Sequence, residues 1–259
     1  MTGASLNVSQ ISKRFDGVLA VDSVSLIASP AEVTGLIGPN GSGKTTTMNV
    51  VTGLYNADGG SVTLDGLPIL GLSPHYIAAL GVARTFQTIR LLSGWSTLDN
   101  VMVGTHRQHR ARLAGALLRT PRLYKDARAA RDRCMGILEK VGIAHLASAA
   151  AGELSYGDRR RVEIARALAT EPRLLLLDEP AAGMNHIEKR RLCDLISLIR
   201  DEGTTILLIE HDIDLVTRVS DHIVVLNFGR EIAEGPPAQV RRNPSVIEAY
   251  LGSDDAGTD

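Results

Sequence analysis

A glycine-rich segment at residues 38–45 narrows the folds open to this chain more than any other stretch. It has two glycines five positions apart followed by Lys and Thr, the phosphate-loop pattern, and reads Gly38-Pro39-Asn40-Gly41-Ser42-Gly43-Lys44-Thr45. Residues 33–37 before it suit a short buried strand, and residues 46–52 after it suit the start of a helix. The sequence therefore predicts a strand, a phosphate-binding loop and a helix, in that order.

The residues of this loop supply the groups that a chain of phosphates needs. Gly41 and Gly43 allow the backbone to curl so that several amide N–H groups face one point, and the helix adds its positive N-terminus there. Lys44 supplies a full positive charge for the outer phosphates, and the hydroxyl of Thr45 can bind Mg²⁺. A glycine-rich turn with an incidental lysine is the alternative, and it is disfavoured because the pattern and its context agree.

Composition excludes several classes of protein. A chain of 259 residues that is 44% hydrophobic can bury a good core, and its net charge of -1 gives no reason to expect a nucleic-acid partner. Cys134 and Cys193 are far apart and form no CxxC pattern, so a reducing cytosol is expected rather than a disulfide framework or zinc site. No signal peptide is expected, and no apolar run approaches the roughly 20 residues that span a bilayer. A membrane component would have to be another chain.

Three candidate strands flank the loop, at residues 6–15, 21–28 and 61–65. They predict a small antiparallel sheet beside a main parallel one. Phe15 stands at the end of the first and is one of only three Phe in the chain. Its ring could stack on a purine base or pack in the core, and composition alone favours the core.

Two later strands are predicted to end in polar residues. Residues 174–177 are four leucines, which suits a central parallel strand buried on both faces, and Asp178 and Glu179 follow them. Beside a phosphate loop, Asp178 would hold Mg²⁺ through a water, and Glu179 would be the base that polarises the attacking water. Residues 204–209 predict another strand, after which His211 is either a loop histidine or a hydrogen-bond donor to a terminal phosphate.

A basic stretch and a helix start each leave more than one interpretation open. Residues 106–133 carry nine Lys or Arg and two acids among Ala and Leu, which predicts helices that break near Thr120-Pro121. Their basic face could be solvated, could lie near anionic lipid headgroups or, least favoured, could bind nucleic acid.

Ser155 is placed to cap a helix predicted at residues 159–170, with Asp158 as a first-turn acid, and this helix start could also bind a phosphate from elsewhere.

Five features follow one another along the chain: the phosphate loop, Gln87, Leu154 to Asp158, Leu174 to Glu179, and His211. This ordered set resembles the ATP-binding cassette family over nearly the whole chain. Gln87 alone would be only a polar residue after a predicted strand. The resemblance implies an α/β fold with a P-loop (RecA-like) core, an antiparallel β-subdomain and an inserted helical subdomain. It implies one domain over residues 1–252, with the insert at about residues 88–168 and a flexible acidic tail at 253–259.

The resemblance also implies ATP and Mg²⁺ as cofactors and a head-to-tail pair of cassettes. Ser155 and Gly157 would cap the phosphate bound by the opposite subunit. Phe15 would stack on adenine, Gln87 would link the site to a transmembrane partner, and His211 would contact the γ-phosphate.

Catalysis is expected to rest on Glu179, His211 and Lys44, and Mg²⁺ on Thr45, Gln87 and Asp178. The nucleotide-binding set implied in full is Phe15, Gly38, Pro39, Asn40, Gly41, Ser42, Gly43, Lys44, Thr45, Thr46, Gln87, Ser155, Gly157 and Asp178.

Four segments narrow the resemblance to importers of branched-chain amino acids: residues 84–87, 179–185, 209–212 and 243–252. The implied function is that of the ATP-hydrolysing subunit that drives uptake of such amino acids or related amides. Similar cassettes also serve urea import and lipopolysaccharide export. The implied location is the cytoplasmic face of the cell membrane, as a peripheral subunit.

The implied partners are permease subunits in the membrane, a second cassette that is identical or different, and indirectly an external solute-binding protein. The resemblance favours two different cassettes. A cassette ATPase that acts on nucleic acid or ribosomes is disfavoured, because the chain has one phosphate loop and no long heptad run, and a small-molecule kinase is disfavoured by Glu179 and the second anion site.

Three residues depart from the pattern of the wider family. Tyr156 and Asp158 stand where the signature usually has Gly and Gln, and Asn185 stands where Asp is usual. Tyr156 and Asn185 resemble habits of the branched-chain branch. Asp158 would repel the phosphates of another subunit unless Arg159 or Arg160 offsets its charge or it points away. The replacement Asp158→Gln is therefore expected to leave ATP hydrolysis the same or higher.

Overall fold

The computed structural model describes residues 3–105 and 121–254. Its strands are β1 (Leu6–Phe15), β2 (Val18–Ala28), β3 (Val33–Ile37), β4 (Gly59–Leu64), β5 (Leu67–Pro68), β6 (Val82–Arg84), β7 (Leu174–Asp178), β8 (Thr205–Ile209), β9 (His222–Asn227) and β10 (Arg230–Gly235). Its helices are α1 (Lys44–Val51), α2 (Pro74–Ala79), α3 (Thr97–Met102), α4 (Pro121–Lys140), α5 (Tyr156–Leu168), α6 (His186–Asp201), α7 (Ile213–Val219), α8 (Pro237–Val240) and α9 (Pro244–Asp254).

The strands form two sheets, as the sequence predicts. The smaller sheet is antiparallel with the order β2-β1-β4-β5, and the larger has the order β10-β9-β3-β8-β7-β6. In the larger sheet all neighbours are parallel except β10, which runs antiparallel to β9 at the edge. The predicted division into a small antiparallel sheet and a main parallel one is confirmed.

The register of the larger sheet brings the ends of three strands together. Ile209, at the end of β8, pairs with Leu36 of β3 on one side and with Asp178 of β7 on the other. The loops that follow β3, β7 and β8 therefore leave the sheet side by side. This is the edge at which open parallel sheets bind ligands.

The four-leucine run of β7 is explained by cores on both faces of the sheet. Leu175 and Leu177 belong to the core under α5 and α6, whereas Leu174 and Leu176 belong to the core shared with α1 and the smaller sheet. All four side chains are fully buried. A strand covered on both sides needs apolar residues at every position, because successive side chains point to opposite faces.

Helices α3, α4 and α5 pack against one another in the region predicted as an insert. Helix α4 is described from Pro121 onward, and the helix break predicted near Thr120-Pro121 falls at the edge of the described residues, so it remains a prediction. Most of the predicted basic segment, residues 106–120, lies outside the described residues.

Two helices have other bounds than the sequence predicts. Helix α5 begins at Tyr156 rather than at 159, directly after its cap Ser155. Helix α9 continues to Asp254, past its expected end at Leu251, and so includes residues predicted to fray. Residues 255–259 of the predicted tail lie outside the described part of the chain. Among residues 3–105 and 121–254, no helix has both the length and the apolar character needed to cross a bilayer.

Candidate active site

The loop between β3 and α1 requires glycine for steric reasons. Gly38, Gly41 and Gly43 have φ angles of 149°, 77° and 101°, in the region that only glycine adopts without strain. A Cβ on Gly38 would lie 2.0 Å from the carbonyl oxygen of Leu226, and one on Gly43 would lie 2.6 Å from that of Ala20. The loop is therefore pressed between β9 and the β1–β2 hairpin, which holds its curled shape.

Lys44 opens helix α1 and is buried over the loop. Its ammonium donates to the carbonyl oxygens of Gly38 (2.7 Å) and Pro39 (2.8 Å) and lies 3.4 Å from Ser42 Oγ. Burial lowers the pKa of Lys44, and the negative charge of Glu179 acts in the opposite direction. The remaining polar residues of the loop and first turn differ in exposure: Asn40 and Thr45 are exposed, and Thr46 is half-buried.

Asp178 is buried and paired with an arginine that sequence reasoning did not select. Arg84 Nη2 donates to Asp178 Oδ2 over 2.8 Å, and Nη1 donates to Asn49 Oδ1 (2.7 Å) and Thr52 Oγ1 (3.1 Å) on and after α1. Arg84 thus ties β6, β7 and the phosphate-loop helix together. Its position at the end of a short strand, three residues before Gln87, was the signal available in the sequence.

Glu179 has an unusual backbone conformation that the surrounding groups hold in place. Its φ angle is 45°, in the left-handed region that is rare for a residue with a side chain. Its N–H donates to the carbonyl of Ile209 (2.9 Å), and its own carbonyl accepts from Arg160 Nη2 (3.1 Å). Gln87 Nε2 donates to Glu179 Oε2 over 3.1 Å. The structure therefore brings together two residues that are 92 positions apart in the chain.

His211 is exposed after β8 and rests on a buried acid that sequence reasoning did not assign. The carboxylate of Glu210 accepts from the N–H of Ala181 (2.7 Å) and from the N–H of His211 (3.3 Å). Burial raises the pKa of Glu210. Glu210 therefore connects the loop that carries His211 with the turn that follows Glu179.

Phe15 is 38% exposed, so the interpretation of this ring as a core residue is wrong. It packs edge-on against Tyr55 with 5.2 Å between ring centroids, and Lys13 Nζ lies 5.4 Å from its centroid. Phe15 closes the hairpin whose β2 strand touches the phosphate loop at Ala20. The ring is thus an accessible aromatic surface on that hairpin.

The start of helix α5 has a serine cap that also binds an acid. Ser155 Oγ accepts from the N–H of Asp158 (3.1 Å) and donates to Asp158 Oδ2 (2.7 Å). Arg161 Nη1 lies 3.5 Å from the other oxygen of Asp158. Of the two arginines named above as able to offset this charge, Arg160 is directed to other partners, and the cation paired with Asp158 is Arg161.

Gly157 and Asn185 lie where α5 meets the start of α6. A Cβ on Gly157 would stand 2.5 Å from Glu188 Oε1, so a larger residue would displace that carboxylate. Asn185 caps α6 in a capping box with Glu188, accepting from the N–H groups of Ile187 and Glu188. Amide and carboxylate side chains both cap helices, which accounts for asparagine at a position where aspartate is usual in the wider family.

The oxygen donors at this sheet edge fit Mg²⁺. The carboxylate of Asp178, the hydroxyl of Thr45 and the amide oxygen of Gln87 are hard ligands, and Mg²⁺ is commonly held by one or two carboxylates together with substrate phosphates. In the described ranges no group of three or more His, Cys, Asp or Glu is placed to hold a metal alone. Two or three oxygen donors of this kind suit a metal that also binds the phosphates of a substrate.

Comparisons with known proteins agree with this geometry. Residues 21–182 match the family described as ABC transporter, and residues 230–256 match the one described as branched-chain amino acid ATP-binding cassette transporter. The chain is 47% identical to the high-affinity branched-chain amino acid transport ATP-binding protein BraF of Pseudomonas aeruginosa and 46% identical to LivG of Escherichia coli K12. Both alignments cover 95% of this chain and 97% of the relative.

A solved structure gives the same result for the fold. A crystal structure of an ATP-binding cassette of an ABC transporter in its ADP conformation superposes with a TM-score of 0.84 at 33% identity, and it covers 97% of this chain and 100% of that one. The expected cassette fold and the family resemblance are confirmed. The chain belongs to the ABC transporter family, as an ATP-binding cassette of its branched-chain amino acid branch.

Proposed function

We propose that this chain is the ATP-hydrolysing subunit of an importer for branched-chain amino acids or related amino acids and amides. One observation carries the hydrolytic part: the carboxylate of Glu179 and the amide of Gln87 meet over 3.1 Å at the sheet edge that also carries Lys44. The relatives BraF and LivG, both named as branched-chain amino acid transport proteins, support the choice of cargo.

ATP is held by the loop between β3 and α1 in this proposal. Several backbone N–H groups of the loop and the ammonium of Lys44 surround the outer phosphates, and Phe15 stacks on the adenine. Thr45, Gln87 and Asp178 would hold Mg²⁺, with Asp178 acting through a water. When bound, Mg²⁺ neutralises negative charge on the phosphates.

Hydrolysis depends on placement rather than covalent chemistry. Glu179 accepts a proton from the attacking water as general base, and Gln87 orients its carboxylate. His211, exposed after β8, donates a hydrogen bond to the γ-phosphate. Lys44 stabilises the negative charge that develops on the phosphates as water adds to the γ-phosphorus and the bond from that phosphorus to the leaving ADP breaks.

The active form is a pair of cassettes arranged head to tail. Ser155 is exposed at the start of helix α5 and Gly157 is buried in its first turn, where the positive end of the helix suits a phosphate. In this arrangement they cap the γ-phosphate bound by the other subunit. The resemblance to branched-chain importers favours a second, different cassette as the partner.

A surface groove beside Gln87 is the proposed docking site for the permease. It has a volume of about 390 Å³, and its exposed apolar residues Leu54, Phe86 and Val103 suit a helical segment of a membrane subunit. Phe86 lines the groove and precedes Gln87, so the permease would lie one residue away from the contact to Glu179. In this proposal the chain is a peripheral subunit at the cytoplasmic face of the membrane, and a solute-binding protein acts on the other side.

Uptake of labelled leucine, isoleucine and valine tests the proposal, in cells that carry Lys44→Ala or the wild-type chain, with unlabelled amides as competitors. We expect branched-chain uptake to fall in the variant, because its phosphate loop lacks the lysine charge. If uptake is unchanged while the purified wild-type chain hydrolyses ATP, the cargo is wrong, and urea or amide import or lipopolysaccharide export becomes the alternative.

A further inference from the structure

Arg160 is a fully buried arginine whose side chain is used by none of the roles proposed above. Its exposed fraction is 0%, although arginine is among the residues least often buried. The guanidinium donates to three carbonyl oxygens outside its own helix: Phe86 (2.7 Å), Gln87 (3.2 Å) and Glu179 (3.1 Å). Helix α5 is thereby bonded to both segments that carry the Gln87–Glu179 contact.

The bond to Glu179 acts on a strained part of the backbone. A non-glycine residue with a φ of 45° keeps that conformation only when its surroundings hold it. Ile209 binds the N–H of Glu179, and Arg160 binds its carbonyl, so the residue is held on both sides. Loss of the Arg160 bond would leave the carbonyl free to turn and would move the carboxylate.

Glu163 keeps Arg160 in place. It lies one turn further along α5 with an exposed fraction of 1%, and its Oε2 accepts from Arg160 Nη1 over 2.7 Å. Its other oxygen accepts from the N–H of Phe86 over 3.3 Å. The pair is therefore a buried bridge between α5 and residues 86–87, and Glu163 also lines the groove beside Phe86.

We propose that Arg160 is a positioning residue for ATP hydrolysis, which holds the main chain of Glu179 and of Gln87 so that the Glu179 carboxylate meets the attacking water. The proposal rests on the hydrolytic function proposed above. Because α5 begins at Ser155, the helix that faces the nucleotide of the other subunit is also the helix that holds this subunit's own Glu179. Displacement of α5 would therefore change hydrolysis at this site without any change in the phosphate loop.

The test measures ATP hydrolysis by two variants of the purified full chain. One is the double variant Arg160→Met with Glu163→Gln, and the other is Glu163→Gln alone. The second substitution prevents a buried carboxylate from losing its counter-charge and keeps an oxygen that accepts from Phe86. We expect kcat of the double variant to be about tenfold to a hundredfold lower than that of Glu163→Gln, the effect of moving a catalytic group by about 1 Å. The KM for ATP should stay within about twofold, because Arg160 contacts no residue of the phosphate loop.

A second comparison separates positioning from a general structural role. In a Glu179→Gln background, loss of Arg160 should lower the residual turnover by less than about twofold. The reason is that the effects of substituting two residues that act as one unit do not add. Arg131→Met, at an exposed position on α4, is the control for loss of an arginine. Arg160→Lys keeps the charge beside Glu163 but lacks the planar fork, so its kcat should lie between those of the wild type and the double variant.

Each remaining outcome overturns the inference. Arg160 does not act through Glu179 if the double variant and Glu163→Gln have the same kcat, or if Arg160→Lys has the kcat of the wild type. The same conclusion follows if loss of Arg160 lowers turnover as much in the Glu179→Gln background as it does in the wild type. If the double variant does not fold, Arg160→Lys decides the question, measured alone and in a double-mutant cycle with Glu179→Gln. A wild-type chain without ATP hydrolysis would instead refute the proposed function.

Discussion

The carboxylate of Asp178 receives a hydrogen bond from the guanidinium of Arg84 over 2.8 Å, and both side chains are almost completely buried. This pair joins the ends of β6 and β7 directly behind the phosphate loop. Arg84 binds Oδ2 of Asp178, and the buried backbone N–H of Asp178 donates to Thr85 Oγ1, so both the side chain and the main chain of this acid are held. The pair therefore sets the orientation of the acid.

Replacing Arg84 with methionine should destabilise the fold strongly. Removing one partner of a buried ion pair leaves an uncompensated charge and typically costs about 3–5 kcal/mol. Denaturant unfolding of Arg84→Met measures this loss, and Arg84→Met combined with Asp178→Asn should recover part of it. Arg230 is the control, because it pairs with Asp22 over 2.7 Å, close to the 2.8 Å of the Arg84–Asp178 pair, but is exposed. Arg230→Met should therefore lower the free energy of unfolding by only about 1 kcal/mol or less. Equal losses for the two arginines would contradict the prediction.

Glu179→Gln should abolish turnover while ATP still binds. The amide cannot accept a proton from water, and loss of a general base typically lowers the rate by about 10² to 10⁴. Turnover and nucleotide binding are measured on the same preparation. Glu171→Gln is the matched control, since Glu171 is an exposed glutamate that shares the left-handed backbone, with a φ of 54°. Retained turnover in Glu179→Gln would move the base to another residue.

Asp158→Gln should leave ATP hydrolysis unchanged or raise it up to about fivefold. The acid binds the hydroxyl of Ser155 and would place negative charge beside the phosphate of the other subunit, a repulsion of about 1 kcal/mol at 4 Å even in bulk water. Asp99→Gln is a close control, because Ser96 and Asp99 repeat the same cap geometry at the start of α3. A large drop in turnover for Asp158→Gln, but not for Asp99→Gln, would show that the acid is needed.

Glu210 should make the stability of the fold depend on pH. Burial raises the pKa of Glu210 in the folded state, so the folded chain holds this proton more tightly than the unfolded chain does. Its contribution to stability is complete below the unfolded pKa and is lost as pH rises through the folded pKa. The wild-type melting temperature should therefore fall, relative to that of Glu210→Gln, as the pH rises above the ordinary carboxyl range. The amide oxygen can still accept from Ala181, and a difference that is constant with pH would refute this assignment.

Local sequence signals predicted the parts of the site that depend on neighbouring residues. The phosphate loop was identified from glycine spacing, the buried strand β7 from its leucines, and the start of α5 from its serine cap. The roles of individual residues toward ATP and Mg²⁺ remain predictions, although the fold and the family are confirmed. Residues 106–120, which carry part of the basic segment, lie outside the described structure.

The partners of the buried charges were not predictable in the same way. Arg84 and Asp178 are 94 positions apart, and Arg160 reaches Phe86 across 74 positions. In the sequence, Glu210 stands out only as part of the segment 209–212 that resembles branched-chain importers. Its hydrogen bond to Ala181 depends on how the ends of β7 and β8 align. No periodicity or spacing in the sequence specifies such pairs.

The sequence by itself determined the backbone of this protein's phosphate loop, because only glycine tolerates the φ angles and the close contacts at Gly38 and Gly43. It also determined which strand would be buried on both faces. The tertiary structure alone decided which charges neutralise one another and what holds Glu179 in its strained conformation. Electrostatic and hydrogen-bond energies depend on distances of a few ångströms, and those distances exist only once the strand order β3-β8-β7-β6 and the packing of α5 are established.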